Sequence, residues 1–326
     1  MTSAAARTTG RAAAGASVCR GLRAGWAAVA AAPGRARAAA PGGRLRSSLS
    51  AEPSGGEGAG EGGGGEAPFG FGYSAGGMLY PYFLGTMKAL RAHGAMDART
   101  PIAGSSAGAL LAAASCTELT PEQCLEKAVA FFDGCRQNGT FGRLGPGLTK
   151  LLDATLPEDI HERGRGRLFV GVTYLNAPGK LYKPELLSDF DSKQDVLDAL
   201  LVSCHVPLWF DSRLITRHRG VWAFDGGFSD TGFIPMPPQA DFVRGVRVCC
   251  FPNARVLFPD IDIAPDVFST DFFSLPRSAW HALNPPTEQV CEALFAQGVR
   301  DGKAWAAREC VDETSCSALA LEGEDP

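Results

Sequence analysis

The pentapeptide Gly104-Ser105-Ser106-Ala107-Gly108 constrains this chain more than any other stretch. It reads G-x-S-x-G, a pattern in which the serine stands on a sharp turn between a buried strand and a helix. The glycines two residues to either side let the two backbones pass with no Cβ between them. Pro101 and Ile102 close a short apolar approach, and Ala107, Leu110, Leu111, Ala112 and Ala114 continue as a tightly packed helix of small residues. Such a turn predicts Ser106 as a nucleophile. The unpaired N–H groups that open the following helix, Ala107 among them, can hold the oxyanion formed when a serine attacks a carbonyl. The plainer reading is a Gly/Ser/Ala turn in an alanine-rich chain, and the remaining sequence has to decide between the two.

Upstream, Phe69 to Tyr73 reads as a short buried strand, Ser74 to Gly77 as a tight turn, and Tyr80 to His93 as a helix. Strand, turn and helix, twice over, begin a parallel α/β sheet whose ligands bind where loops leave the carboxyl ends of the strands. Both turns then open on the same edge. The N–H groups around Gly76, Gly77 and Met78 are placed to complete an oxyanion hole for Ser106. A nucleotide cradle is disfavoured, because Tyr80 stands where a third glycine of G-x-G-x-x-G belongs and no P-loop lysine follows.

Further on, Thr120-Pro121-Glu122-Gln123 has the make-up of a capping box opening a helix to about Arg136, and a second helix is expected from Leu148 to Leu156. Arg167 to Leu175 alternates as a strand, Asn176 to Gly179 turns it, and Lys180 to Tyr182 begins the return. Ser192 caps a helix that Pro207 stops. Then Val221 to Phe224 forms a strand with Asp225-Gly226-Gly227 directly after it, and the same edge rule sets Asp225 beside Ser106. A serine needs a proton acceptor, and Asp225 is the candidate with the right setting.

Histidines fit that role less well. His281, the one histidine after Asp225, lies in a short helix that ends at Pro285. His93, His161 and His218 are expected to be solvated, and His205 to be structural or a pocket wall. An aspartate of ordinary pKa, about 3.9, is a weak base, so a Ser-Asp pair requires a partly dry site.

Composition separates the ends from the middle of the 326-residue chain. Met1 to Ala51 contains no Asp or Glu but has eight arginines among Ala, Gly, Ser and Thr, the make-up of an organelle transit peptide, with a plastid preferred to a mitochondrion or the cytosol. Residues 52–67, nearly all Gly and Glu, read as a disordered linker, 68–310 as the catalytic domain and 311–326 as a tail. With a net charge of -4, a cationic nucleic-acid surface is not expected. The ten cysteines lack zinc spacing, so no metal is expected; Cys249-Cys250 reads as part of a buried strand. No strongly apolar run is long enough to span a membrane.

The Gly-rich turn, the elbow about thirty residues later and the late Asp-Gly-Gly resemble the signature of the patatin-like phospholipases. The likeness is nearest the animal-type branch that includes adipose triglyceride lipase. Val202-Ser203-Cys204-His205-Val206-Pro207, Ala282-Leu283-Asn284-Pro285-Pro286 and Gln297-Gly298-Val299-Arg300-Asp301-Gly302 resemble that branch as well, so the likeness runs from about Phe69 to Arg308. It implies a three-layer α/β/α fold with a mostly parallel central sheet, Ser106 as nucleophile, Asp225 as its base, and Gly76 and Gly77 in the oxyanion loop. The activity implied is lipid acyl hydrolysis by a Ser-Asp dyad without a cofactor, on triacylglycerol, galactolipid or phospholipid at a membrane or droplet surface.

Ala75 and Tyr80 depart from the outer glycines of the family's loop, and Leu79 stands where many members have arginine. An alanine held in a left-handed conformation is strained. A non-catalytic lipid-binding or regulatory protein is therefore one alternative, and acyl transfer to an alcohol through the same acyl-enzyme is another. Trp209, Phe210, Phe258, Phe268, Phe272 and Phe273 are either core or a surface that meets lipid.

Overall fold

The strand that carries the serine elbow sits in the middle of a sheet whose parallel strands are buried on both faces, and short runs of small and apolar residues suffice to build it. In this computed structural model, residues 67–175, 181–228, 233–256, 259–265 and 274–309 are described. The expected transit peptide, the linker up to residue 66, the tail, the 176–179 turn, Phe258, Phe268, Phe272 and Phe273 lie outside the described residues.

β1 (Ala67–Tyr73), β2 (Ile102–Ser105), β3 (Leu168–Leu175) and β7 (Phe242–Val248) run parallel in the order β7-β1-β2-β3. Antiparallel strands complete the sheet: β4 (Tyr182–Leu187) and β6 (Val221–Asp225) both pair with β3, and β5 (Thr216–His218) pairs with β6. Helices flank the mostly parallel sheet to give an α/β/α arrangement.

α1 (Tyr80–Ala92) and α2 (Ala107–Ser115) follow the two turns as the pattern requires. α3 (Pro121–Asn138) opens on the expected capping box, in which the Gln123 N–H donates to Thr120 Oγ1 at 3.2 Å and the Thr120 N–H donates to Gln123 Oε1 at 2.9 Å. α4 (Leu144–Thr155) starts four residues before Leu148, where a helix was expected. Gly145, Pro146 and Gly147 hide that start, although proline is tolerated in a first helical turn. A short α5 (Ile160–Arg163) precedes β3, and α6 (Lys193–Ser203) is capped by Ser192 as expected.

The end of the described chain returns to its beginning. β7 pairs along β1, and α8 (Glu288–Glu309), which follows α7 (Leu275–Leu283), packs on α1 so closely that a Cβ on Gly298 would fall on the Tyr82 carbonyl. Inside that contact the fully buried Asp301 accepts from the Tyr82 hydroxyl at 2.9 Å and from Gln297 Nε2 at 2.7 Å. Trp305 packs edge-on against Phe69 and Phe71. Cys249 and Cys250 are fully buried but lie just past the last residue of β7, so they cap the strand instead of belonging to it.

Candidate active site

β3 has two sides, and their use decides where the chemistry sits. β4 takes one side from Val170 to Leu175. The other side is shared: β2 climbs it in parallel until Ser105 stands opposite Gly171, and β6 descends it antiparallel until Asp225 stands opposite Val172. The two strands therefore meet end to end on one side of β3. Ser106 turns away from one tip and Asp225 is the other. The sequence argument reached the right neighbour by the wrong rule, since the carboxyl end of β6 points opposite to that of β2 and not along it.

The elbow itself is strained. Ser106 has φ 54° and ψ -118°, a conformation that costs a non-glycine residue on the order of 1–3 kcal/mol. A Cβ on Gly104 would fall inside the Gly108 backbone, and one on Gly108 would meet the Tyr73 carbonyl, so both glycines of the motif serve close approach. Ser203, the last residue of α6, braces the turn. Its Oγ accepts the Ser106 N–H at 2.8 Å and its hydroxyl donates to the Gly171 carbonyl at 2.6 Å. The neighbouring Cys204 thiol also hydrogen-bonds Ser106, and burial, with the charge of Asp225 next in weight, pushes it up. Neither residue was assigned a role from sequence; the available signal was a Ser-Cys pair closing the helix that precedes the strand of the candidate acid.

Asp225 is 3% exposed and Ser106 6%. Burial pushes the Asp225 carboxyl up to about 7, against hydrogen bonds from the Gly227 N–H, at 2.7 Å, and from the Ser106 hydroxyl, which favour the ionised form. Its backbone is pinned as well: the Asp225 N–H donates to the His205 carbonyl at 3.1 Å and Thr173 Oγ1 donates to the Asp225 carbonyl at 3.0 Å.

His205 thus serves the acid through its main chain. Its buried ring has Nε2 3.8 Å from an Asp211 carboxylate oxygen, burial holds its pKa down, and it lines a cavity of about 350 Å³ with Phe210 and Asp211. His218 is not solvated as expected. It is 3% exposed, with the Tyr174 hydroxyl 2.6 Å from its Nδ1. His161 is partly buried, His93 is exposed, and His281 lies half-buried on α7.

The loop from Ser74 to Met78 fits between the other two segments. The Ser74 carbonyl lies against Gly108, the Ala75 methyl against Gly227, and Gly77, at φ 54°, against the Ala282 carbonyl of α7. The Leu79 N–H bonds back to the Gly76 carbonyl, whereas among the described residues the N–H groups of Gly76, Gly77, Met78 and Ala107 have no backbone acceptor. Gly226 packs on the Gly171 carbonyl and Ser105 Oγ, with no room for a side chain. Among the described residues no group of three or more His, Cys, Asp or Glu is gathered that could hold a metal.

A family model for patatin-like phospholipase matches residues 74–237, half of the chain, and the match contains the loop, the elbow and the acid. The chain belongs to the patatin-like phospholipase family. Among patatin-like relatives, Homo sapiens "Patatin-like phospholipase domain-containing protein 4" is 30% identical over 247 residues, covering 70% of this chain and 92% of the relative. Homo sapiens "Omega-hydroxyceramide transacylase" is 26% identical over 256 residues, covering 74% and 46%. Mus musculus "Patatin-like phospholipase domain-containing protein 2" is 28% identical over 280 residues, covering 78% and 54%. The chain therefore spans nearly all of the first and about half of the other two.

The departures from the patatin-like loop are absorbed without strain. Ala75 does not take a positive φ, and Tyr80, at φ -45° and ψ -38°, is simply the first helical residue of α1. Gly77 alone in this loop needs the left-handed region, and it is a glycine.

Proposed function

We propose that this protein is a serine lipid acyl hydrolase that cleaves fatty acyl esters of glycerolipids, with Ser106 and Asp225 as a catalytic dyad. The observation that carries the reading is the end-to-end meeting of β2 and β6 on β3, which sets a strained serine in hydrogen-bond contact with a buried carboxyl pushed up to about 7. A carboxylate poised near neutral pH is a far better base than an ordinary aspartate.

In this mechanism Ser106 Oγ attacks the acyl carbonyl carbon while its proton passes to the Asp225 carboxylate. The N–H groups of Gly76, Gly77, Met78 and Ala107 hold the charged oxygen. Asp225 returns the proton to the leaving alcohol oxygen as the ester C–O bond breaks, leaving the acyl group on Ser106. A water molecule then gives a proton to Asp225 and attacks the acyl carbon, and the fatty acid departs as Ser106 recovers that proton. Triacylglycerol, galactolipid and phospholipid all offer the same ester.

A second reading, acyl transfer, is favoured by the match to a relative named as a transacylase. There an alcohol replaces water in the second half of the cycle. Fatty-acid release from the three lipids, with and without an added alcohol acceptor, separates the readings. Ser106→Ala and Asp225→Asn are expected to remove at least a thousandfold of the rate, and a fluorophosphonate is expected to label the wild-type protein and not Ser106→Ala. A folded protein that neither labels nor releases any product overturns both readings.

A further inference from the structure

Several of the exposed large apolar side chains stand at the edge of the sheet where the candidate dyad sits. Gly171 marks the level of the elbow on β3, and the strand continues beyond it to Leu175. Tyr182 pairs with Leu175, and Trp222 precedes Ala223, the partner of Tyr174; both are exposed beyond that level. Phe228, 47% exposed, follows the acid turn, whose Gly227 lies on Ala75. On the other flank of the same loop stands α7, with Leu275 46% and Trp280 58% exposed. Its Ala282 carbonyl lies against Gly77. At the opposite edge, where Phe242 pairs with Ala67, Val243 is the exposed counterpart.

α7 is unusual in this chain. Ser278 is the one fully buried residue among its nine, and from Leu275 to Leu283 it carries Arg277 and His281 but no acidic side chain, in a protein of net charge -4. An exposed tryptophan and leucine on a helix that carries arginine and no acidic residue of its own suit the boundary between lipid headgroups and acyl chains.

We infer that this edge is a lipid-docking surface. α7 and the Phe228 turn seat on a glycerolipid layer, one on each side of the Gly76-Gly77 loop, and a lipid passes from the layer between them to Ser106 without crossing water. Ser106 and Asp225 are nearly closed to solvent, so delivery from a layer suits them better than capture from solution. The inference rests on the lipid-hydrolase reading for its purpose, but docking can be measured separately.

The full chain is sedimented with neutral phosphatidylcholine vesicles, which give the Arg-rich start no charge attraction. Ester release is followed both from vesicle lipid and from a soluble short-chain ester. Leu275→Ser combined with Trp280→Ser is expected to weaken vesicle partitioning about tenfold or more. It is also expected to lower the ratio of vesicle-lipid to soluble-ester rates by a similar factor. Phe228→Ser, on a different element, is expected to shift both quantities in the same direction, and Val243→Ser neither. Vesicle binding by both rim variants equal to wild type overturns the docking surface, as does a wild-type protein that cleaves the soluble ester yet ignores vesicles. The same holds for a dimer in solution that buries Trp280. Binding that depends on the rim, in a protein that cleaves neither ester, supports the surface and overturns the hydrolase reading.

Discussion

At the residue scale the candidate site depends on one carboxyl kept out of water. Asp225 must be ionised to take a proton, so kcat/KM is expected to rise with pH through about 7 and then level off. The same burial acts on stability with the opposite sign. A carboxyl raised from 3.8 to about 7 binds its proton more tightly folded than unfolded, so its cost is absent below the lower value and grows as pH rises to the upper one, reaching on the order of 4 kcal/mol. Asp225→Asn, which cannot ionise, is expected to raise Tm relative to wild type at pH 8 and to lose that advantage progressively as pH falls toward 4. An equal Tm difference at both pH values contradicts the raised carboxyl. Ser203 makes a separate prediction. Removing its hydroxyl frees the Ser106 N–H and the Gly171 carbonyl, so Ser203→Ala is expected to lower kcat about tenfold or more with little change in KM, and stability by about 1–3 kcal/mol. An unaltered kcat separates the brace from the chemistry.

At the level of elements, the Gly loop is held by what packs on it. Gly77→Ala puts a methyl group in the left-handed region and against the Ala282 carbonyl, so it is expected to cost about a hundredfold in kcat. Full activity in that variant removes the loop from the mechanism. Much of this level was legible in the sequence, because its signals are local: Gly104 and Gly108 around Ser106, the Thr120–Gln123 capping box and the Ser192 cap each act within one turn of chain. The loop departures were misjudged, since only φ at Ala75 and Tyr80 reveals that neither position needs glycine. Ser203 and Cys204 were passed over because their partners, Ser106 on the elbow and Gly171 on β3, are remote in sequence. The burial of His218 under Tyr174 is likewise a pairing between distant strands, and charged neighbours on both sides of it suggested solvent.

For the whole molecule, the segment that matches the family model ends at residue 237, before β7 and α8 have formed. Those two elements cover the outer side of β1 and the face of α1, so a chain ending at residue 237 is expected to show no cooperative thermal transition and to aggregate through the bared strand. A sharp transition from that shortened chain would place the folding unit within the family segment. The sheet order and the return of the chain's end were not legible, because β-pairing between distant segments leaves no local periodicity. The direction of β6 was read wrongly for the same reason, and that direction bears on how the molecule can change. The two groups of the proposed dyad hang from strand tips that abut on a shared rail, so their spacing is set by a single step along β3. The stretch of the intervening chain from α3 to α5, unlike β3, Ser203 and His205, which hold the two groups, is thereby released from keeping the proposed dyad in register. It is free to lengthen, shorten or drift in composition, so that preference for one lipid over another can diverge while the chemistry stays where it is.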